Sequence, residues 1–318
     1  MLPRPGRSHD QLLMRYGAIL FAAAGIAGLL AAAPASAAPE APDLSGYAVV
    51  APDEYVDGGE AYFQTPDGLL CAIRPAQGMA GCDGPLPRGS GGANQIVLSA
   101  DQARRGLRQT ASPQFVKPSG AAAAVLPVGH KIVLEDFTCA VDDGKVFCTK
   151  GNPVAQWLSI TPDSSSVGPP TPGLPVGFPD PNDFVVGDES YLVGSGAKNV
   201  FPVFTVGDGL TCKMSMFSGG VIGCDTTPPV VLPGVEGGDD EVFAQLPGPV
   251  GTRKSGEPRL ATPDYPGAVK ELPVGHRIDS FGASCMATDD GVACFGAVGG
   301  APQGFRVTGS ETTTFGGS

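Results

Sequence analysis

Apolar residues in this chain come in short runs that alternate with polar ones and are cut off by Gly or Pro. Examples are NQIVLS at 94–99, IVLEDFTCAV at 132–141 and KVFC at 145–148. Alternation with a period of two, over runs of this length, predicts strands. One stretch reads differently: Ser99 can cap and Gln102 completes a capping box, which predicts a short helix over 99–109. The corresponding QLPGPVG at 245–251 cannot be helical, because its prolines remove donors and clash with the preceding turn. The expected fold is therefore mostly β, with at most one short helix in the first part of the chain.

The pattern is written twice. LPVGHKIVLEDFTCAVDDGKVFC at 126–148 returns at 272–294 as LPVGHRIDSFGASCMATDDGVAC, and FQTPDGLLC at 63–71 returns at 204–212 as FTVGDGLTC. A Gly-Cys-Asp follows each of the earlier motifs, at 81–83 and 223–225. This predicts two tandem small β domains, 47–161 and 188–308, joined by a Pro-rich linker over 162–187 that acts as a semi-rigid spacer. The tail 309–318 and the stretch 38–45 have too few apolar residues to offset chain entropy, so disorder is expected there.

Eight cysteines fall into close pairs: Cys71 with Cys82, Cys139 with Cys148, Cys212 with Cys224 and Cys285 with Cys294. In an antiparallel hairpin, opposed residues share the numerical sum of the central turn pair. Cys139 and Cys148 centre on Asp143-Gly144, a favoured two-residue turn. Cys71 and Cys82 centre on Ala76-Gln77 between Pro75 and Gly78, and Cys212 and Cys224 centre on Ser218 in a loop Phe217-Ser218-Gly219. The last pair is less regular, because Asp290-Gly291 comes one residue late and Asp289-Asp290 or a bulge must serve. Hairpin-local disulfides follow, although four cysteines per copy allow three connectivities and strand order could join the hairpins instead. Zinc sites are not expected, since ligand pairs on one tight turn need shorter spacings.

The chain starts with Arg4, Arg7 and Arg15, an apolar stretch over 17–33, then Ala35-Ser36-Ala37 before Ala38-Pro39. That order reads as a signal peptide over 1–37, cleaved before Ala38. The apolar stretch is shorter than the about 20 residues that span a bilayer. Removing three Arg and one Asp takes the net charge from −12 to −14. An acidic surface excludes nucleic acid and anionic membranes as partners. Export also accounts for the even cysteine count as disulfides.

Candidate chemistry is sparse. His130 and His276 occupy equivalent places after Pro-Val-Gly, without a nucleophile or carboxylate at telling spacing, and read as strand-entry polar residues. The acidic run Glu236 to Glu241 lacks the alternating ligands of a calcium loop. Arg104, Arg105 and Arg108 read as an exposed face of the expected helix. Trp157 and Phe305 stand at similar places and are expected in the core. No catalytic, cofactor-binding or metal-ligating set is assigned, and no cofactor is expected.

The order F-x-T-P-D-G-x-x-C, a hairpin to a second Cys, then L-P-x-G, a Phe-x-Cys strand and a closing Cys resembles an uncharacterised family of small secreted actinobacterial domains. Phe137-Thr138-Cys139 and Gly304-Phe305 match its pattern, while Ala283 and Gln156-Trp157 depart from it. The resemblance implies export and disulfides, and brings no activity. The expected function is a non-catalytic tandem binding module, exported to the envelope or beyond, with an unknown extracellular protein or cell-envelope polymer as partner. The expected state is a monomer with no membrane span after cleavage. An extracellular hydrolase and a structural or inhibitory protein are the alternatives.

Overall fold

The structure is a computed structural model. It describes residues 40–317 apart from 88–90, 103, 194–200, 208, 216–219, 227–229, 256–268 and 298–299. The expected signal peptide, 1–37, lies outside the described residues. Residues 38–318 form one compact unit.

The first half supplies β1 (Ala48–Val49), β2 (Val56–Asp57), β3 (Glu60–Gln64), β4 (Leu70–Arg74), β5 (Met79–Asp83), β6 (Gln95–Ser99), β7 (Gly106–Arg108), β8 (Ala124–Val125), β9 (His130–Leu134), β10 (Phe137–Asp142), β11 (Lys145–Lys150), β12 (Gln156–Ile160) and β13 (Ser165–Gly168). The second supplies β14 (Val185–Val186), β15 (Leu192–Val193), β16 (Phe201–Val206), β17 (Leu210–Ser215), β18 (Val221–Thr226), β19 (Glu241–Gln245), β20 (Val250–Arg253), β21 (Lys270–Glu271), β22 (His276–Ser280), β23 (Ala283–Thr288), β24 (Gly291–Gly296), β25 (Gln303–Thr308) and β26 (Thr312–Phe315). Among the described residues the rest is turns, including short 3-10 turns, with no α-helix.

Each strand pairing in the first half recurs between the corresponding strands of the second. In each half one meander, β2 to β7 or β15 to β20, supplies one sheet. A second meander, β9 to β13 or β22 to β26, supplies another, edged by a short parallel strand, β1 or β14. The two sheets of the first half share a core in which Phe63, Ile73 and Ile96 meet Ile132, Phe137 and Leu158. The second half does the same with Phe204, Met214 and Val242 against Ile278, Val292 and Phe305. Burying each such side chain stabilises by about 1.5–3 kcal/mol, which makes this alternation the main determinant of the fold.

All four disulfides are hairpin-local. They join Cys71–Cys82, Cys139–Cys148, Cys212–Cys224 and Cys285–Cys294 across directly opposed positions, with Cα separations of 4.0 to 4.1 Å. Such separations are slightly below the about 4.5 Å of the closely spaced, non-hydrogen-bonded pairs of an antiparallel ladder. The turn at Asp143-Gly144 forms as the spacing requires, with Gly144 alone in the left-handed region at φ +61°. In the last hairpin the turn is Asp289-Asp290, and Thr288 opposes Gly291. Gly291 is needed there: a Cβ would lie 2.0 Å from the Val307 carbonyl oxygen on β25.

Several expectations are corrected. The described residues of 99–109 form no helix: Ser99 ends β6, Asp101 donates its N–H to the Ser99 hydroxyl at 3.1 Å, and the chain turns into β7. Local capping gave way because Leu107 enters the core and Gly106, at φ +112°, makes room for the Arg277 guanidinium. The 162–187 segment is not a spacer. Ser165–Gly168 pairs with β12, and Phe178 packs edge-on against Phe295 and Phe315 at centroid distances of 6.0 and 4.9 Å. The tail expected to be disordered contributes β26, paired with β25. Trp157 does not share Phe305's place; Leu158 does, since each of those two opposes the closing cysteine of its hairpin.

The two halves are joined rather than tethered. β14 lies parallel between β22 and β7, with Val185 opposite Leu107 and Val186 opposite Arg108. One sheet of each half thereby becomes part of a single continuous sheet. Val185 is buried in the core of the first half. Arg277, with no exposed surface, locks the junction. Its Nε donates to Asp279 Oδ2 at 3.0 Å, one terminal nitrogen donates to the Pro181 carbonyl, and the other donates to the Arg105 carbonyl at 2.6 Å.

Candidate functional site

The sequence-singled residues do not converge. The cysteines are fully buried in disulfides and hold hairpins. His130 and His276 stand at the first positions of β9 and β22, and each places Nδ1 beside a carbonyl two residues upstream, Val128 at 2.9 Å and Val274 at 3.3 Å. A short backbone contact of this kind orients a ring without activating it, and activation needs a partner group. No group of three or more His, Cys, Asp or Glu able to hold a metal occurs among the described residues.

Three of the four acids in the run, Asp239, Asp240 and Glu241, are tied up internally. Asp239 accepts from the Thr252 hydroxyl at 2.6 Å, Asp240 accepts from the Ser255 N–H and hydroxyl, and buried Glu241 pairs with Arg253. The three arginines present no common face. Arg104 pairs with Asp101 at 3.5 Å, Arg108 donates Nε to the Arg104 carbonyl, and Arg105 is buried with its guanidinium on the Pro169 carbonyl at 2.7 Å.

What the fold builds instead is a cavity of about 890 Å3 at one end of the second sandwich. Its walls are the β16–β17 turn, the segment 230–233, the β21–β22 turn, the β23–β24 turn and the β25–β26 turn. Val206, Leu272 and Val307, all buried, form an apolar floor. At the rim Val230, Val231 and Val274 are 58, 50 and 62% exposed. In the first half Leu69 takes the place of Leu210 and is buried, because Thr65 grips it through two bonds: Thr65 N to the Leu69 carbonyl and Leu69 N to the Thr65 hydroxyl. Val206 has no hydroxyl to offer at Thr65's place, and Leu210 remains half-exposed on the cavity wall.

The polar rim is acidic. Asp290 is held below the ordinary carboxylate value, first by the Thr288 hydroxyl at 2.7 Å and then by Arg306 at 2.8 Å. Glu271 and Asp289 also line the cavity and are exposed. The Thr308 hydroxyl already accepts the Ser310 and Glu311 N–H groups of its own turn.

Sequence reasoning missed this site, because it is assembled from five turns far apart along the chain. A signal was present: Val230-Val231 sits among prolines, and Val274 follows a Pro in a turn, so neither belongs to an alternating strand. No protein-family model, no curated protein and no solved structure matches the chain.

Proposed function

We propose that the chain is an exported, non-catalytic binding module, built from two tandem copies of one small β domain, that takes its ligand in the cavity of the second copy. The observation that carries this reading is the cavity: its volume suits a small ligand or one group of a larger one, and its apolar floor and exposed valine rim would be costly to leave in water. Four disulfides suit an oxidising compartment. No helix among the described residues is long and apolar enough to cross a membrane. The start of the chain reads as an export signal, and the resemblance to small secreted actinobacterial domains points the same way. The partner in this reading is an extracellular protein or a cell-envelope polymer, met by a monomer.

The test uses Nile red, a neutral solvatochromic probe, on the mature chain. Saturable binding with an emission blue shift is expected, with loss of at least tenfold in affinity for Leu210→Trp, whose indole would intrude into the cavity from its wall. A dye that binds the variant as it binds the native chain, or no binding at all, overturns the reading.

A further inference from the structure

We infer that the cavity in the second half selects an apolar group carrying a positive charge. The inference rests on the proposed binding reading and adds the ligand's chemical class. Every ionisable side chain among the described lining residues is an acid: Glu271, Asp289 and Asp290. Among the described residues only Asp290 has a cation on it, Arg306, which approaches from outside the cavity lining. Lys270, next to Glu271 in β21, does not line the cavity and acts on Asp188, whose carboxyl is held down first by Ser190 and more weakly by Lys270. The Glu271 backbone is fixed by its carbonyl, which accepts from Tyr191 at 3.3 Å, while its side chain is left to solvent.

The geometry thus sets two exposed carboxylates over apolar walls. Val274 stands on the rim, two residues before His276, whose ring is turned back onto the Val274 carbonyl. An ammonium or guanidinium group at the mouth gains attraction from both carboxylates while its chain displaces water from Val206, Leu272 and Val307. A ligand anion meets repulsion from the same groups. Exposed charge pairs of this kind shift affinity by about two- to fivefold each. Discrimination between a cation and an anion on the same chain should reach roughly tenfold or more at low ionic strength and shrink with salt.

The experiment compares n-octylammonium, n-octanol and n-octanoate as competitors of bound Nile red at neutral pH. Octylammonium is expected to compete at least tenfold better than octanoate, with octanol between them. Glu271→Gln with Asp289→Asn should bring the three within about threefold of one another. Val274→Arg, at an exposed position that tolerates the change, should narrow the gap between octylammonium and octanoate. If the three compete equally on the native chain, the charge inference is wrong and the binding reading stands. If octanol fails to displace the probe at any concentration, the binding reading itself is wrong.

Discussion

Replacing Arg277 probes how the two halves hold together. Its guanidinium has no exposed surface and donates to three oxygens from three places: Asp279 on its own strand, Pro181 before β14, and Arg105 in the first half. Hydrogen bonds to a charged group contribute about 1.5–3 kcal/mol each, but desolvating the guanidinium offsets much of that. Deleting one member of a buried ionic set nevertheless strands the others, and the net loss is about 3–5 kcal/mol. That is the loss expected for Arg277→Ala. Lysine is the informative contrast, because Lys131 stands at the corresponding place in the first half and donates to the Leu44 carbonyl at 2.6 Å. Arg277→Lys should therefore keep the Pro181 contact, lose the Arg105 bond, and cost about 1–2 kcal/mol. Urea unfolding can be followed by fluorescence of Trp157, the one tryptophan, which reports the first half, and by far-ultraviolet circular dichroism, which reports both. The native chain should unfold with coincident transitions, and Arg277→Ala should separate them. Coincident transitions with a loss below about 1 kcal/mol would show that the junction does not depend on Arg277.

Two further outcomes can be checked with the same assay. Changing Cys139 and Cys148 together to Ala should cost about 2–3 kcal/mol, the loop-closure value for so short a loop, and leave the hairpin register intact by amide exchange; an unchanged midpoint would place that stability elsewhere. Asp183, beside the junction, has its carboxyl raised to about 6, first by burial and then by Asp180, with Arg277 opposing. A folded value above the unfolded one means that the native state binds the extra proton between about pH 4 and 6, so stability falls as pH rises through that window. Asp183→Asn should remove this slope and stabilise at neutral pH by at most about 1 kcal/mol, since the side chain keeps contact with solvent. A variant that retains the slope would assign it to another group.

Much of the fold was legible because it rests on short-range rules. Alternation placed most strands, and turn arithmetic around Asp143-Gly144 and Pro75 to Gly78 placed the cysteines opposite each other. What escaped depends on partners distant in sequence. β13 and β26 are polar strands of four residues, SSVG and TTTF, that exist only because β12 and β25 offer them an edge. The capping signal at Ser99 pointed to a helix, yet pairing of β7 with β6 and β14 outweighed it. The prolines over 162–187 suggested a spacer, but Leu174, Phe178 and Phe184 among them pack on Met286, Ala293 and Phe295. The candidate site was least legible of all, because adjacency of five turns is a property of the sandwich and not of any one segment.

The two outer sheet edges carry different residues from the inner junction. The turn that precedes β14 is rebuilt before β1: the Asp43 carboxylate accepts the Ser45 N–H as that of Asp180 accepts the Asn182 N–H, and Lys131 reaches Leu44 as Arg277 reaches Pro181. By ladder position Val49 corresponds to Val186, which pairs with Arg108, whereas Val49 is 63% exposed. At the other end, Thr252 stands where β7 has Leu107, since each opposes the residue that opposes the second cysteine of its hairpin. Leu107 is buried in the core, while the Thr252 hydroxyl is bonded to Asp239. Both outer edges thus differ from the inner one in the groups that hold it, with Lys131 in place of Arg277 and Thr252 in place of Leu107. The inner junction therefore rests on Arg277 and Leu107, side chains that Lys131 and Thr252 do not reproduce.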